Sequence, residues 1–233
     1  MDGLPPAQSM LPGALLADEA WLGERVGQTG RQFGCADRRT NATLWWYSAS
    51  VVLLGPSVHA LVRSGRGLDL STSALRFTLR FNGYLERVVA RSELAPGPRA
   101  LGRHLDEALG PVIEPLARIS GATERALWAI AVDSLATRVL AETSVLTGGT
   151  DRQTDDQAAP KLATAIAEPA ARLRPLPRYV QVRGRPEAAA QRYVRRGSCC
   201  LLYRVPDGLC ISCPKQTPAE RLERLQQHAR AMG

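Results

Sequence analysis

Residues 199–213 read CCLLYRVPDGLCISC, and they hold four of the five cysteines in a chain of 233 residues. Two adjacent thiols, Cys199 and Cys200, are followed by a nine-residue spacer and then by Cys210-Ile211-Ser212-Cys213. Cysteines this dense point to a disulfide staple, a zinc site or an iron–sulfur cluster. The C-x-x-C half suits any tetrahedral thiolate site. The adjacent pair is more selective. Neighbouring Cα atoms lie about 3.8 Å apart, and on a regular strand their side chains point to opposite faces. Converging on one metal ion would need a local distortion. A two-iron cluster offers two ligand positions on each iron and takes an adjacent pair more easily. Ser198, Gly208 and Ser212 are small, which lets backbone N–H groups approach cluster sulfurs and raise the reduction potential.

The charge around this stretch is uneven. Net charge over the whole chain is +8, and residues 174–204 carry eight arginines against the single Glu187. Arg195, Arg196 and Arg204 stand where they would stabilise a reduced cluster and attract anionic partners. A solvated basic face is the alternative reading. Hydrophobic residues at 45% and charged residues at 22% are ordinary globular values. The length suits one large domain, or one domain with a small appendage. The N-terminal stretch carries Asp2 and lacks a basic region followed by an apolar core, so the expected compartment is the cytoplasm, where stable disulfides are rare.

Further out, the pattern predicts an α+β fold, a mainly helical body carrying a small β-hairpin. Helices are expected over residues 14–32, 98–120, 123–146 and 161–172, the one from Thr123 amphipathic and ended by Gly148-Gly149. Residues 40–62 contain no formally charged side chain and are long enough to span a bilayer. The Gly55-Pro56 break and the serines argue instead for two buried helices, with peripheral membrane contact through Trp45 and Trp46 left open. The stretch SGRGLDLSTS reads as a loop. Residues 75–81 alternate apolar and polar, and Asn82-Gly83 then predicts a type I′ hairpin turn within residues 75–90. Arg174-Pro175-Leu176-Pro177 marks a boundary between a body (1–174) and a C-terminal segment (175–233). That segment is expected to hold strands near Tyr179 and Tyr193, a third strand over residues 200–205, and a closing helix to about Met232, capped by Thr217 with Pro218 at its first position.

Elsewhere the sequence offers little catalytic chemistry. Cys35 stands apart from the motif, and His59, His104 and His228 are scattered singly. Asp151, Asp155 and Asp156 lie in a polar, linker-like stretch. There is no Walker A sequence, and Gly65-Arg66-Gly67 lacks the third glycine of a dinucleotide fingerprint. With no nicotinamide or flavin motif visible, a redox centre here would be recharged by another protein.

The string from Arg195 to Pro214 resembles the C-terminal signature of FhuF-like ferric-siderophore reductases, in which a C-C pair, a spacer usually of ten residues and a C-x-x-C pair follow one another. The spacer here, residues 201–209, is one shorter, the loss falling in the Pro206-Asp207-Gly208 turn. Gly65-Arg66-Gly67-Leu68-Asp69-Leu70-Ser71 is similar to a loop of the same family. The resemblance implies a [2Fe–2S] cluster held by Cys199, Cys200, Cys210 and Cys213. It also implies one-electron reduction of iron in a ferric siderophore, release of ferrous iron in the cytoplasm, with a place at the inner face of the membrane left open, and an external donor such as a ferredoxin or flavin reductase. Two other readings compete. One is a zinc-stapled, Arg-rich nucleic-acid-binding module, poorly supported because the segment offers only Tyr179, Tyr193 and Tyr203 for stacking; no nucleic-acid partner is expected. The other is an iron–sulfur electron carrier without a chelate substrate.

Overall fold

The computed structural model describes residues 9–146, 157–206, 208 and 210–231. In chain order its main elements are β1 (Leu11–Pro12), α1 (Glu19–Phe33), α2 (Arg38–Ser64), β2 (Arg66–Leu68), β3 (Arg76–Leu79), β4 (Leu85–Val89), β5 (Glu93–Pro96), α3 (Pro98–Ser120), α4 (Glu124–Leu146), α5 (Ala158–Ala167), β6 (Tyr179–Val182), β7 (Gln191–Val194) and α6 (Pro218–Ala231). This is an α+β fold with a helical body. Its strands form three small antiparallel sheets, β1-β3-β4, β2-β5 and β6-β7. The expected end of α4 at Gly148-Gly149, the acidic stretch at Asp151, Asp155 and Asp156, and Met232 lie outside the described residues.

The core is organised by α2 against α4. The expected amphipathic pattern of α4 is not what the fold uses. Leu127, Trp128, Ala129, Ile130, Ala131, Val132, Leu135, Ala136 and Val139 are all buried, so the helix is covered on all its faces over these turns. The two helices exchange few but well-placed polar bonds. Trp46 Nε1 donates to the Leu127 carbonyl at 2.9 Å, and Ser50 and Ser134 share a buried hydroxyl bond of 2.7 Å. Buried polar groups are tolerated because each such bond replaces one to water.

Residues 40–62 belong to one continuous helix rather than two. Pro56 has no N–H, so it withdraws one helical donor. Packing on α4 carries the helix through, and Arg138 Nε of α4 donates to the Val51 carbonyl at 2.6 Å, next to the Val52 carbonyl that Pro56 leaves without its helical donor. Asp37 caps this helix by accepting from Arg39 N. Trp45 and Trp46 are core residues, 1% and 0% exposed. No helix among the described residues is long and apolar enough to cross a membrane.

Three further expectations change in detail. The segment expected to start helically at residue 14 opens as a short 3₁₀ turn, Gly13–Ala17, and α1 begins only after Asp18, which accepts from Trp21 N. The stretch expected as a loop contains β2, because Ser57 of α2 both donates to the Leu68 carbonyl and accepts from Leu68 N, at 2.9 and 2.7 Å, and so pins an extended strand. The hairpin forms at the expected place, but its turn has Gly83 N bonded to the Arg80 carbonyl and Arg80 N to the Tyr84 carbonyl. Only Gly83 in that turn adopts positive φ. The loop therefore has three residues and ends on a left-handed glycine, where a type I′ turn would need two left-handed residues.

Helix α3 meets α5 at Gly102. A Cβ there would overlap the Ile166 carbonyl oxygen, a backbone atom with nowhere to go. Gly23 of α1, by contrast, faces only the far end of Arg38. Gly102→Ala is therefore expected to destabilise by about 1–3 kcal/mol. Gly23→Ala is expected to stabilise by about 0.5–1 kcal/mol. Denaturant or thermal unfolding of the two variants should move the midpoint in opposite directions.

Candidate metal centre

The segment expected as a third strand does not extend. Leu201 sits at φ 61°, the described non-glycine residue in the left-handed region, and residues 202–204 form a 3₁₀ turn. The chain reverses immediately after Cys200, and Gly208 packs on the Leu202 carbonyl so closely that no Cβ would fit. This tight turn brings Cys210 back to Cys200, their sulfurs 3.9 Å apart. Two thiolates on one tetrahedral metal, each at about 2.3 Å, are separated by about 3.8 Å. Cys213 N donates to the Cys210 carbonyl, closing the C-x-x-C turn. Cys199 lies within electrostatic range of Cys213 and Cys200. Cys200 and Cys213 are buried, while Cys199 and Cys210 are half-buried. Among the described residues, no three His, Cys, Asp or Glu side chains converge on a single metal-ion position.

The adjacent cysteines look into different spaces. Cys199 lines a cleft of about 870 Å³ together with Arg125, Trp128, Arg174 and Lys215. Cys200 and Cys210 line a separate pocket of about 260 Å³ with Phe33, Leu44, Tyr47 and Leu202. Cys200 packs with Leu44 and Val205, and Cys35 lies against the same apolar patch. The fifth thiol, distant in sequence, is therefore a neighbour of the motif in space.

The arginines divide into three situations. Arg196 is 7% exposed, its Nη1 3.2 Å from Cys210 Sγ and 3.6 Å from Cys200 Sγ. Its guanidinium stacks over the Tyr47 ring at 4.2 Å, and its Nε is 3.7 Å from Asp133 Oδ2. Arg204 pairs with Asp37 at 2.8 Å and lines the large cleft. Arg195 is exposed. Hydrogen bonding between Cys210 and Cys200, helped by the Arg196 charge, lowers the Cys200 thiol to about 5 and pushes the Cys210 thiol up. Burial raises the Cys199 thiol.

Asp133 of α4 fixes this segment, and sequence reading did not single it out. Its carboxylate accepts from Gly197 N at 2.9 Å, Ser198 N at 3.0 Å and Ser198 Oγ at 2.5 Å. Burial raises its pKa, against the opposing pull of these bonds and of Arg196. The only sequence signal was an acid within an otherwise apolar run, AIAVDSLA.

The site passes a test of fit to an iron–sulfur cluster. Arg196 Nε and Nη2 are buried and have no hydrogen-bond acceptor among the described residues, a costly arrangement for a charged group. Cluster sulfurs held by the surrounding thiols would supply acceptors. Residues 196–215 match the model of the FhuF 2Fe-2S C-terminal domain. The segment is thus similar to a [2Fe–2S] domain, and the cofactor it implies is a [2Fe–2S] cluster. No curated protein matches the chain.

Replacing Asp133 by Asn removes the negative charge beside buried Arg196 and turns one of the two accepting oxygens for Gly197 and Ser198 into an NH2 that cannot accept. Asp133→Asn should cost about 3 kcal/mol or more, or about 6 °C or more in Tm. Ser198→Ala, which removes one hydroxyl bond, should cost about 1 kcal/mol. Melting curves of the cluster-loaded protein would check this order; equal effects would contradict the role given to Asp133.

Proposed function

We propose that the protein passes single electrons to ferric iron held in a siderophore, releasing ferrous iron in the cytoplasm. The observation that carries this reading is the placement of Cys199, a half-buried thiol on the wall of a cleft of about 870 Å³. That volume is typical of small-molecule sites. Ferric iron is a small, hard cation that oxygen-rich chelators hold tightly; ferrous iron has lower charge and is held far more weakly. One electron is enough to release it.

Cys199, Cys200, Cys210 and Cys213 hold the cofactor in this reading. A [2Fe–2S] cluster supplies one-electron chemistry at low potential. The remaining work belongs to the chain. Arg196 places a buried positive charge against two of the ligand sulfurs and favours acceptance of an electron. Tyr47 and Leu44 give that side a largely apolar wall. Cys199 brings the centre to the cleft, so the chelate need not enter the core. The electron that reduces the iron is replaced by a one-electron protein donor, a ferredoxin or a flavin reductase. Protein that binds a cluster but turns over no chelate would instead be an electron carrier.

The test is anaerobic. Purified protein should contain about two irons and two sulfides, with an EPR signal only after reduction. Mixing the reduced protein with ferric siderophores should bleach that signal while a ferrous indicator develops colour one-for-one. Cys200→Ser and Cys210→Ser should lose the cluster spectrum, and Cys35→Ser should keep it. Protein that holds stoichiometric zinc and no iron after reconstitution would overturn the proposal.

A further inference from the structure

The cleft beside Cys199 carries more positive charge than its own surroundings neutralise. Among the described residues its carboxylate is that of Glu124, set against Arg39, Arg125, Arg172, Arg174, Arg204 and Lys215. Some of these cations are already occupied. Arg172 pairs with Asp106 and Glu114 and stacks on Trp128 at 4.6 Å, and Arg204 pairs with Asp37. Arg174 donates to main-chain carbonyls, among them those of Ala167 and Ala170, and meets no carboxylate among the described residues. Arg39, Arg125 and Lys215 are exposed and have no ion-pair partner among the described residues. They come from three separate places: the first turn of α2, the first turn of α4 and the stretch just past Cys213. The first turn of α4 also turns its positive dipole end toward the cleft.

Like charges gathered without counter-charges repel one another and are maintained only at a cost, which an anion entering the cleft would relieve. Trp128 also lines the cleft, beneath the Arg172 guanidinium. We infer that this cleft binds ferric chelates of net negative charge, with catecholate or hydroxycarboxylate donors, in preference to neutral hydroxamate chelates, and that Arg39, Arg125 and Lys215 make that choice. The inference rests on the reductase reading, which names a ferric chelate as substrate, and adds its charge class and the residues that select it. A chelate seated there would lie directly against Cys199, within reach of the electron.

Gallium(III) has nearly the size and charge of ferric iron and is not reduced under these conditions, so it separates binding from electron transfer. Calorimetric titration of the cluster-loaded protein with the gallium complex of a tris-catechol chelator and with that of a tris-hydroxamate chelator measures the preference. The catecholate complex should bind at least about tenfold more tightly, and the difference should shrink as salt is raised. Arg125→Ala combined with Lys215→Ala should weaken the catecholate complex by about tenfold and leave the neutral one unchanged. Arg39→Ala should act in the same direction. Arg76→Ala, on the hairpin outside the cleft, should change neither, and an intact cluster spectrum shows that each variant is folded. Equal affinity for the two complexes, or no loss in the double variant, overturns the inference even if ferric chelates are reduced. Charge-selective gallium binding by a protein that reduces no ferric chelate keeps the binding site and removes the reductase reading.

Discussion

The Asp133 carboxylate is the constraint on which the site depends. It stands in the fully buried stretch of α4, residues 127–136, and takes three hydrogen bonds from the two residues directly before the first cysteine. A buried carboxylate is expensive unless it is fully paired. The three donors and the nearby guanidinium of Arg196 meet that requirement only when residues 196–198 sit in one position. Fixing those residues fixes where Cys199 and Cys200 begin. From there the left-handed Leu201 and the tight packing of Gly208 on Leu202 bring Cys210 back against Cys200, with Cys213 one turn further on.

The same turn gives adjacent cysteines different surroundings. Cys200 faces an apolar patch made by Leu44, Val205 and the end of α1, and shares the Arg196 charge with Cys210. Cys199 faces the wide basic cleft. Cys200 is thereby held close to a fixed positive charge beside a small, largely apolar pocket, while Cys199 borders a much larger cleft. In the proposed function the fixed charge would raise the potential, and the cleft-lining thiol would give a chelate access.

Much of this could be read from residue order, for reasons that are local. Thr217, Pro218 and Glu220 form a capping box that places α6 where the sequence predicts it: Thr217 N donates to Glu220 Oε2, and Glu220 N to Thr217 Oγ1. Pro98 and Gly121 bound α3, and the strands around Tyr179 and Tyr193 pair as expected. The four cysteines stood out through their spacing, and their assignment as ligands came from the resemblance. What escaped depends on contacts between distant parts of the chain. The continuity of α2 past Pro56 comes from α4, and β2 comes from Ser57. Residues 200–205 have the apolar composition of a strand, yet the turn that places two thiols together requires a left-handed leucine, a conformation no propensity predicts. Asp133 was invisible because its donors are more than sixty residues away.

The arginines show most clearly why composition and function separate here. The count over residues 174–204 suggests a broad basic surface around the cysteines. In the fold, Arg174 is used to hold main-chain carbonyls, Arg196 is buried among thiols, and Arg204 closes on Asp37 at the cap of α2. Each of these charges already has structural work. The exposed cations at the cleft without an ion-pair partner among the described residues are Arg39, Arg125 and Lys215, all outside that stretch. A charge acts on a ligand only to the extent that its neighbours have not neutralised it. Candidates for selecting a ligand by charge are therefore found from ion-pair geometry, where the local density of arginine misleads.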